Sequence, residues 1–178
     1  GYIKKTVSGD VMNIKKVSVD KEGTGMGWGA VYAQYLESMD QIGEQGNGLS
    51  VSRQLYKGDE ALNESAPLKV GDRITVRLTV KADRDMDFVQ IKDDRAACME
   101  PLQAVSGFRW GNGLGYYQAT KDASTQFFID QMRKGTYVIE YQVYVNRTGE
   151  YQAGIATVQS AYAPEFGGHT RGYRVMVE

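Results

Sequence analysis

Two segments of the chain alternate between apolar and polar residues with a period of two. The first covers residues 73–81 and the second residues 136–146. Successive side chains of an extended strand point to opposite faces of a sheet, so both segments predict strands that are buried on one face. The residues predicted to point into the core are Ile74, Val76, Leu78, Tyr137, Ile139, Tyr141 and Val143.

Shorter stretches of strand character recur along the chain, separated by turn-forming residues. Weaker strands are predicted at residues 11–20, 28–36, 49–56, 88–92, 116–120, 125–129 and 173–177. The turn sequence Arg147-Thr148-Gly149 predicts a long antiparallel hairpin over residues 135–159. Helical patterns are limited to a turn or two, near residues 35–42 and 99–105. About nine to eleven short strands predict an all-β fold, and we expect an antiparallel β-sandwich.

The length of 178 residues predicts a single domain over residues 1–178, with a core that needs no disulfide or metal. Charges nearly balance, with 21 Lys and Arg against 22 Asp and Glu scattered along the strands. Because the chain has no basic stripe for a phosphate backbone, we expect no nucleic-acid partner. No apolar run approaches the ~18 residues of a membrane-spanning helix. The start of the chain predicts a fragment of a larger protein.

The residues needed for catalysis or metal binding are scarce. His169 is the one histidine and Cys98 the one cysteine, so neither a nucleophilic triad nor a zinc or copper site has its usual residues. We therefore predict no catalytic residue, no cofactor and no metal. An enzyme that uses Asp87, Asp93 or His169 remains a minor hypothesis.

Two local sequences invite a chemical interpretation. An internal thioester needs Cys followed two residues later by Glu-Gln, but Pro101 stands where that Gln would be. Cys98 is therefore predicted to be a small buried residue. Aspartates cluster at residues 83–87 and 93–94, and interleaved arginines favour ion pairs there over calcium.

A group of aromatic residues surrounds a Gly-rich loop at residues 111–113. In a surface sandwich Trp110, Tyr116 and Tyr117 would form an aromatic surface able to stack on sugar rings. Aromatics beside such turns more often cover the open end of a core, so we expect Trp110 to be mostly buried. A glycan- or protein-binding sandwich of a bacterial surface adhesin is the alternative function.

Several segments, in order and spacing, resemble the C-terminal macroglobulin-like domain of bacterial alpha-2-macroglobulins. The resemblance covers most of the chain, and Gly135-Thr136-Tyr137 followed by Tyr162-Ala163-Pro164-Glu165-Phe166 carries most of it. The remaining segments are Trp28-Gly29-Ala30-Val31-Tyr32, Leu49-Ser50-Val51-Ser52-Arg53, Val70-Gly71-Asp72, Asp87 to Asp93 and Gly149-Glu150-Tyr151. The resemblance to this family implies a macroglobulin- or immunoglobulin-like β-sandwich.

The resemblance also implies a function. Such proteins are envelope-associated protease traps, in which a protease cuts a bait segment and a thioester in another domain captures it. The partners implied are other domains of the same parent chain, with proteases as targets of the whole protein. A periplasmic or envelope-anchored location, through a lipoprotein anchor in the parent, is implied as well.

In that family a loop tyrosine of the C-terminal domain shields the thioester, and by motif position it would be Tyr162. Pro164, Glu165 and Phe166 would complete the domain contact. An ordinary aromatic at the end of a loop remains the other interpretation of Tyr162. Gly167 and Gly168 predict a mobile second half of this connection, whereas Pro164 stiffens the first half.

Overall fold

The computed structural model describes residues 2–9, 13–63 and 66–178, in two compact units that divide after Leu36. In the first unit, residues 2–9 and 13–36 are exposed and contain no strand. The prediction of a strand at residues 28–36 is therefore wrong. The prediction of a strand at residues 11–20 is wrong for residues 13–20, and residues 11–12 lie outside the described residues. Aromatic and β-branched residues favour a strand only where a neighbouring strand pairs with it.

The second unit, residues 37–178, is almost entirely β. Its described residues form one 3-10 turn, Met39–Gln41, where a short helical turn was predicted. A second turn predicted near residues 99–105 is absent from this described stretch, which begins with a strand. The strands are β1 Gln45–Asn47, β2 Leu49–Lys57, β3 Glu60–Ala61, β4 Arg73–Ala82, β5 Met86–Asp94, β6 Met99–Pro101, β7 Gly107–Gly111, β8 Leu114–Thr120, β9 Ser124–Met132, β10 Gly135–Val145, β11 Gly149–Ala153, β12 Ala156–Ser160, β13 Gly167–His169 and β14 Tyr173–Val177.

Most of these strands belong to one sheet that folds over on itself. Its order is β6-β10-β4-β2-β1-β13-β12-β5-β9-β8-β7, with β3 beside β2, and every pair is antiparallel. The short strand β1 links two halves whose inner faces meet. Phe127 of β9 lies 5.9 Å from Tyr141 of β10, centroid to centroid, across that interior. The predicted antiparallel β-sandwich is confirmed.

The burial pattern of β4 and β10 follows the predicted alternation. Ile74 and Leu78 are fully buried, and six of the seven predicted inward residues lie in the core, with Tyr137 packed against it. The two strands pair directly, and Tyr141 stands opposite Val76. This register places the apolar face of both strands inward.

The predicted hairpin over residues 135–159 is wrong. β10 already has neighbours on both edges, β4 on one and β6 on the other. β11 pairs instead with β14 in a separate two-stranded sheet, with Tyr151 opposite Val175. A turn signal between two strands does not fix which strands pair. Within the described ranges, no helix is long and apolar enough to cross a membrane.

Candidate functional site

β12 and β13 form a hairpin, and residues 161–166 connect them. The amide of Ser160 donates a hydrogen bond to the carbonyl oxygen of Phe166 at 3.0 Å, which closes the base of the loop. The side-chain amide of Gln159 donates to the carbonyl oxygen of Pro164 at 3.3 Å. The loop is therefore held by hydrogen bonds to its own strands.

Two residues from other parts of the domain, Asn47 of β1 and Arg84 between β4 and β5, hold the same loop. Asn47 donates from its side-chain amide to the carbonyl oxygen of Glu165 at 2.7 Å. The guanidinium of Arg84 lies 4.7 Å from the ring centroid of Phe166. A cation over an aromatic face is attracted to it, so Arg84 contributes to holding Phe166 in place.

Tyr162 lies near the start of this loop, with 79% of its surface exposed. Its ring meets the ring of Phe88 edge to face, with centroids 5.2 Å apart and planes at 85°. The amide of Ala161 donates to the carbonyl oxygen of Phe88 at 2.9 Å. Tyr162 is thus solvent-exposed and still oriented by a neighbouring ring.

Phe88 has a backbone conformation that is rare for a bulky residue. Its φ of +53° lies in the left-handed region, which glycine tolerates and phenylalanine does not. Such a residue costs of order 1–3 kcal/mol in strain. The pairing of β5 with β9 skips Phe88 and resumes at Val89. No sequence signal identifies this residue, because nothing in a strand pattern predicts a positive φ at phenylalanine.

The prediction that Gly167 and Gly168 make the connection mobile is wrong. Both lie in β13, which pairs with β12 on one side and with β1 on the other. A Cβ at Gly168 would lie 2.7 Å from the carbonyl oxygens of Gln45 and Leu49. Glycine therefore permits close backbone packing here and does not act as a hinge.

A second group of aromatic side chains lies on the outer face of β7, β8 and β9. Trp110 is 79% exposed, so the prediction that it is mostly buried is wrong. Phe108 is equally open and meets Tyr117 edge to face at 5.1 Å. Phe108 and Trp110 are two residues apart in β7 and therefore lie on the same face. This spacing in the sequence could have predicted that the two rings share a face.

Tyr116 does not share this face. Tyr116 is half-buried, its ring packs against Phe127 of the core at 5.6 Å, and burial raises the pKa of its hydroxyl. Of the three residues predicted as an aromatic surface, Trp110 and Tyr117 lie on the same outer face, where Tyr117 contacts Phe108. Sequence reasoning missed Phe108 and also Phe128, which pairs with Tyr117 from β9.

Comparison with known families identifies the domain. Residues 48–165 match the family described as Bacterial Alpha-2-macroglobulin MG10 domain. The chain belongs to this family. The matched range includes β2 to β12 and most of the loop that carries Tyr162, so the predicted resemblance is confirmed.

Solved bacterial alpha-2-macroglobulins have the fold of this MG10 domain. The native Escherichia coli protein from domain MG7 to the C-terminus is 17% identical with a TM-score of 0.64, over 76% of this chain and 24% of that one. The trypsin-activated E. coli protein is 15% identical with a TM-score of 0.65, and the match covers 77% of this chain and 11% of that one. The Salmonella protein reacted with methylamine is 19% identical with a TM-score of 0.63, over 76% and 10%.

One curated protein also aligns with the MG10 chain. Circularly permutated Ras protein 2 of Dictyostelium discoideum is 27% identical over 166 residues, which cover 89% of this chain. The chain spans only 4% of the length of that relative. The single domain expected over residues 1–178 stays a prediction.

Inside the MG10 domain, a buried ion pair joins the two layers. Arg53 of β2 and Asp93 of β5 lie 2.5 Å apart, and their side chains are 5% and 1% exposed. The hydroxyl of Tyr141 donates to the second oxygen of Asp93 at 2.8 Å. Burial disfavours the charge on Arg53, but the adjacent carboxylate overrides it and raises the guanidinium pKa. Asp93 is thus the structural partner of Arg53. An arginine at an inward position of β2 is a sequence signal that a buried acidic partner is needed.

Among the remaining chemical candidates, Asp83 and Asp85 have local structural partners. Asp83 pairs with Arg84 at 2.8 Å, and Asp85 accepts a hydrogen bond from the amide of Lys134 at 2.7 Å. Asp87 is exposed, and a ring nitrogen of His169 lies 3.1 Å from the carbonyl oxygen of the next residue. Cys98 is fully buried, as predicted, and burial raises the pKa of its thiol.

A cavity of about 850 Å³ lies between β2 and the segment 170–175. Arg53 and Tyr173 line it, with the guanidinium of Arg53 4.7 Å from the centroid of the Tyr173 ring. Arg53 is already satisfied by Asp93 and by the carbonyl oxygen of Gly154. Within the polar lining of this cavity, Arg53 is therefore part of the core network.

Proposed function

We propose that this chain is the non-enzymatic C-terminal domain of a bacterial alpha-2-macroglobulin-like protease trap. In the parent protein, meaning the longer chain to which it belongs, it packs against the domain that carries a thioester. Membership of the MG10 family supports this proposal. So do the trypsin-activated and elastase-activated forms of the E. coli protein, each of which is far longer than this chain.

Within this proposal Tyr162 covers the thioester and keeps small nucleophiles away from it. The observation that carries the proposal is the exposed Tyr162 ring on a loop fixed by Asn47, Arg84 and Phe88. An aromatic ring held in one orientation excludes water and amines from a neighbouring surface more completely than a mobile ring does. Pro164, Glu165 and Phe166 form the rest of the contact.

The reaction that Tyr162 would slow is aminolysis of the thioester. The nitrogen of methylamine attacks the thioester carbonyl carbon, the carbon–sulfur bond breaks and an amide forms. The amine proton ends on the cysteine sulfur, so one free thiol appears for each bond broken. The relative from Salmonella has been solved after reaction with methylamine.

The test is the rate of thiol release in the parent protein, mixed with methylamine without protease. Tyr162→Gly should speed the release by about tenfold or more, a barrier lowered by ~1.4 kcal/mol. Tyr162→Phe keeps the ring and should stay near the wild-type rate. Phe108→Gly removes an equally exposed ring elsewhere and should leave the rate unchanged. Equal rates for Tyr162→Gly and wild type, or a parent without a thioester, would reject the shielding role.

We further propose that the parent resides in the periplasm or is anchored to the cell envelope as a lipoprotein. A trap is useful there because incoming proteases meet the cell at that boundary. Fractionation after spheroplast formation, with detergent extraction of the membrane, tests both parts. Cytoplasmic recovery would reject the location, and release without detergent would reject the anchor.

The exposed face of β7–β9 favours one second candidate, binding of a neutral glycan. The ring of Trp110 lies beside Gly115, where a Cβ would come within 2.9 Å of two ring atoms, and 79% of the surface of Trp110 is exposed. Asp130 and Arg109 border the same hollow of about 430 Å³ and supply hydrogen-bonding groups for sugar hydroxyls. Saturable micromolar binding on a glycan array, lost in Trp110→Ala, supports this candidate. Absence of saturable binding rejects it.

A further inference from the structure

A strained residue in the middle of β5 lies beside the proposed shielding tyrosine. Phe88 has a φ of +53°. Every other residue of β5, from Met86 to Asp94, has a partner in β9, and Phe88 has none there. Two consecutive side chains, Asp87 and Phe88, are exposed at this point, so the burial alternation of the strand slips there. The strand deviates from regular geometry at the residue that touches Tyr162.

The fold itself gains little from a phenylalanine here. Glycine adopts a positive φ without steric cost, so a sequence selected only for stability would favour glycine at residue 88. The Phe88 ring is 49% exposed and lies outside the core cluster. Strain at a special backbone position points to a function when no packing advantage accounts for it.

Two contacts connect Phe88 to the loop. Its carbonyl oxygen accepts the amide hydrogen of Ala161, which fixes the residue immediately before Tyr162. Its ring then meets Tyr162 edge to face at 5.2 Å, a preferred geometry for two aromatic rings. The backbone contact positions the start of the loop, and the ring contact orients the tyrosine.

We infer that Phe88 is a positioning residue that holds the Tyr162 ring in the orientation with which it meets the thioester domain. This inference rests on the proposed function. Phe88 acts through Tyr162 and does not itself cover the thioester. Loss of its ring should therefore loosen Tyr162 without unfolding the domain.

The first test uses the 178-residue chain and needs no thioester. In NMR spectra with labelled tyrosine, Tyr162 of the wild type should show a ring-current shift from Phe88. Phe88→Gly should bring those signals to the values of a free tyrosine, while Phe88→Tyr restores the shift. The Phe88→Gly chain should unfold at the same denaturant concentration as wild type or a higher one. Unchanged Tyr162 signals in Phe88→Gly would overturn the inference.

The second test uses thiol release by methylamine in the parent protein. Phe88→Gly should raise the rate above wild type, by up to the factor seen for Tyr162→Gly, and Phe88→Tyr should not. The double variant should be no faster than Tyr162→Gly, because the two residues act through one ring. If the double variant is faster than Tyr162→Gly alone, the positioning role of Phe88 is overturned. It is also overturned if Tyr162→Gly accelerates thiol release and Phe88→Gly does not. Either result leaves the shielding role of Tyr162 intact. No effect of Tyr162→Gly rejects the proposed function, and the NMR result then decides the positioning role separately.

Discussion

Arg53 and Asp93 form an ion pair between the two layers of the sandwich, with Nη1 and Oδ1 2.5 Å apart and both side chains almost fully buried. Asp93→Asn would leave the guanidinium without its counter-charge inside the protein. Breaking a buried pair in this way costs about 3–5 kcal/mol of unfolding free energy, measurable by urea titration. Glu140→Gln breaks a pair of the same length on the surface, with Arg77, and should change stability little. Equal effects of the two substitutions would contradict this account of the ion pair.

The same cluster predicts how stability depends on alkaline pH. Burial, and next the charge of Asp93, raise the pKa of Tyr141 well above its ordinary value. Below about pH 10 both folded and unfolded states keep the phenol proton, so the contribution of Tyr141 is fully present. Above that pH the unfolded state loses the proton while the folded state keeps it, and stability falls by up to ~1.4 kcal/mol per pH unit. The advantage of wild type over Tyr141→Phe should therefore shrink between pH 9 and 11; a constant difference would contradict the shift.

Close backbone packing around β13 makes Gly168 sensitive to substitution. Gly168→Ala would place a Cβ 2.7 Å from two carbonyl oxygens that cannot move without breaking strand pairs. We expect a loss of about 1–3 kcal/mol in thermal or denaturant unfolding, as for overpacked sites. Gly43→Ala, where no atom lies within 4 Å of the added Cβ, is the matched control and should be neutral. A stable Gly168→Ala variant would mean that β1 and β13 are less closely packed.

The register of β9 is tested by two neighbouring phenylalanines. Phe127 is fully buried in the core, whereas Phe128 is 39% exposed on the opposite face. Phe127→Ala should cost about 3–5 kcal/mol of unfolding free energy. Phe128→Ala should cost less than about 1 kcal/mol. The reverse order of the two effects would show that the strand is shifted by one residue.

The sequence predicts burial better than it predicts pairing. Alternation assigned the inner faces of β4 and β10, because burial on one face imposes a period of two on any strand. It could not assign β11 to β14, because partner choice depends on which edges remain open once the sheet has folded. The strand predicted at residues 28–36 is absent from the described residues for a related reason, since propensity alone supplies no neighbouring strand.

The site was predicted in part. The motif position singled out Tyr162, and the structure gives it an exposed ring on a hairpin loop. Trp110 was expected inside because aromatics near turns often cover a core, but alternation in β7 turns it outward. Phe88 could not be found, since its role depends on a backbone angle that the sequence does not encode in any recognisable pattern.

Contact between Tyr162 and the thioester domain is the central claim, and photo-crosslinking in the unreacted parent protein tests it most directly. Tyr162 is replaced by a photoreactive phenylalanine derivative, and the crosslinked peptides are identified by mass spectrometry. The same derivative at Phe108 provides an equally exposed control. We predict that position 162 crosslinks to the peptide that carries the thioester, that position 108 does not, and that the crosslink decreases after protease treatment. Crosslinks from position 162 that never include that peptide would contradict the account.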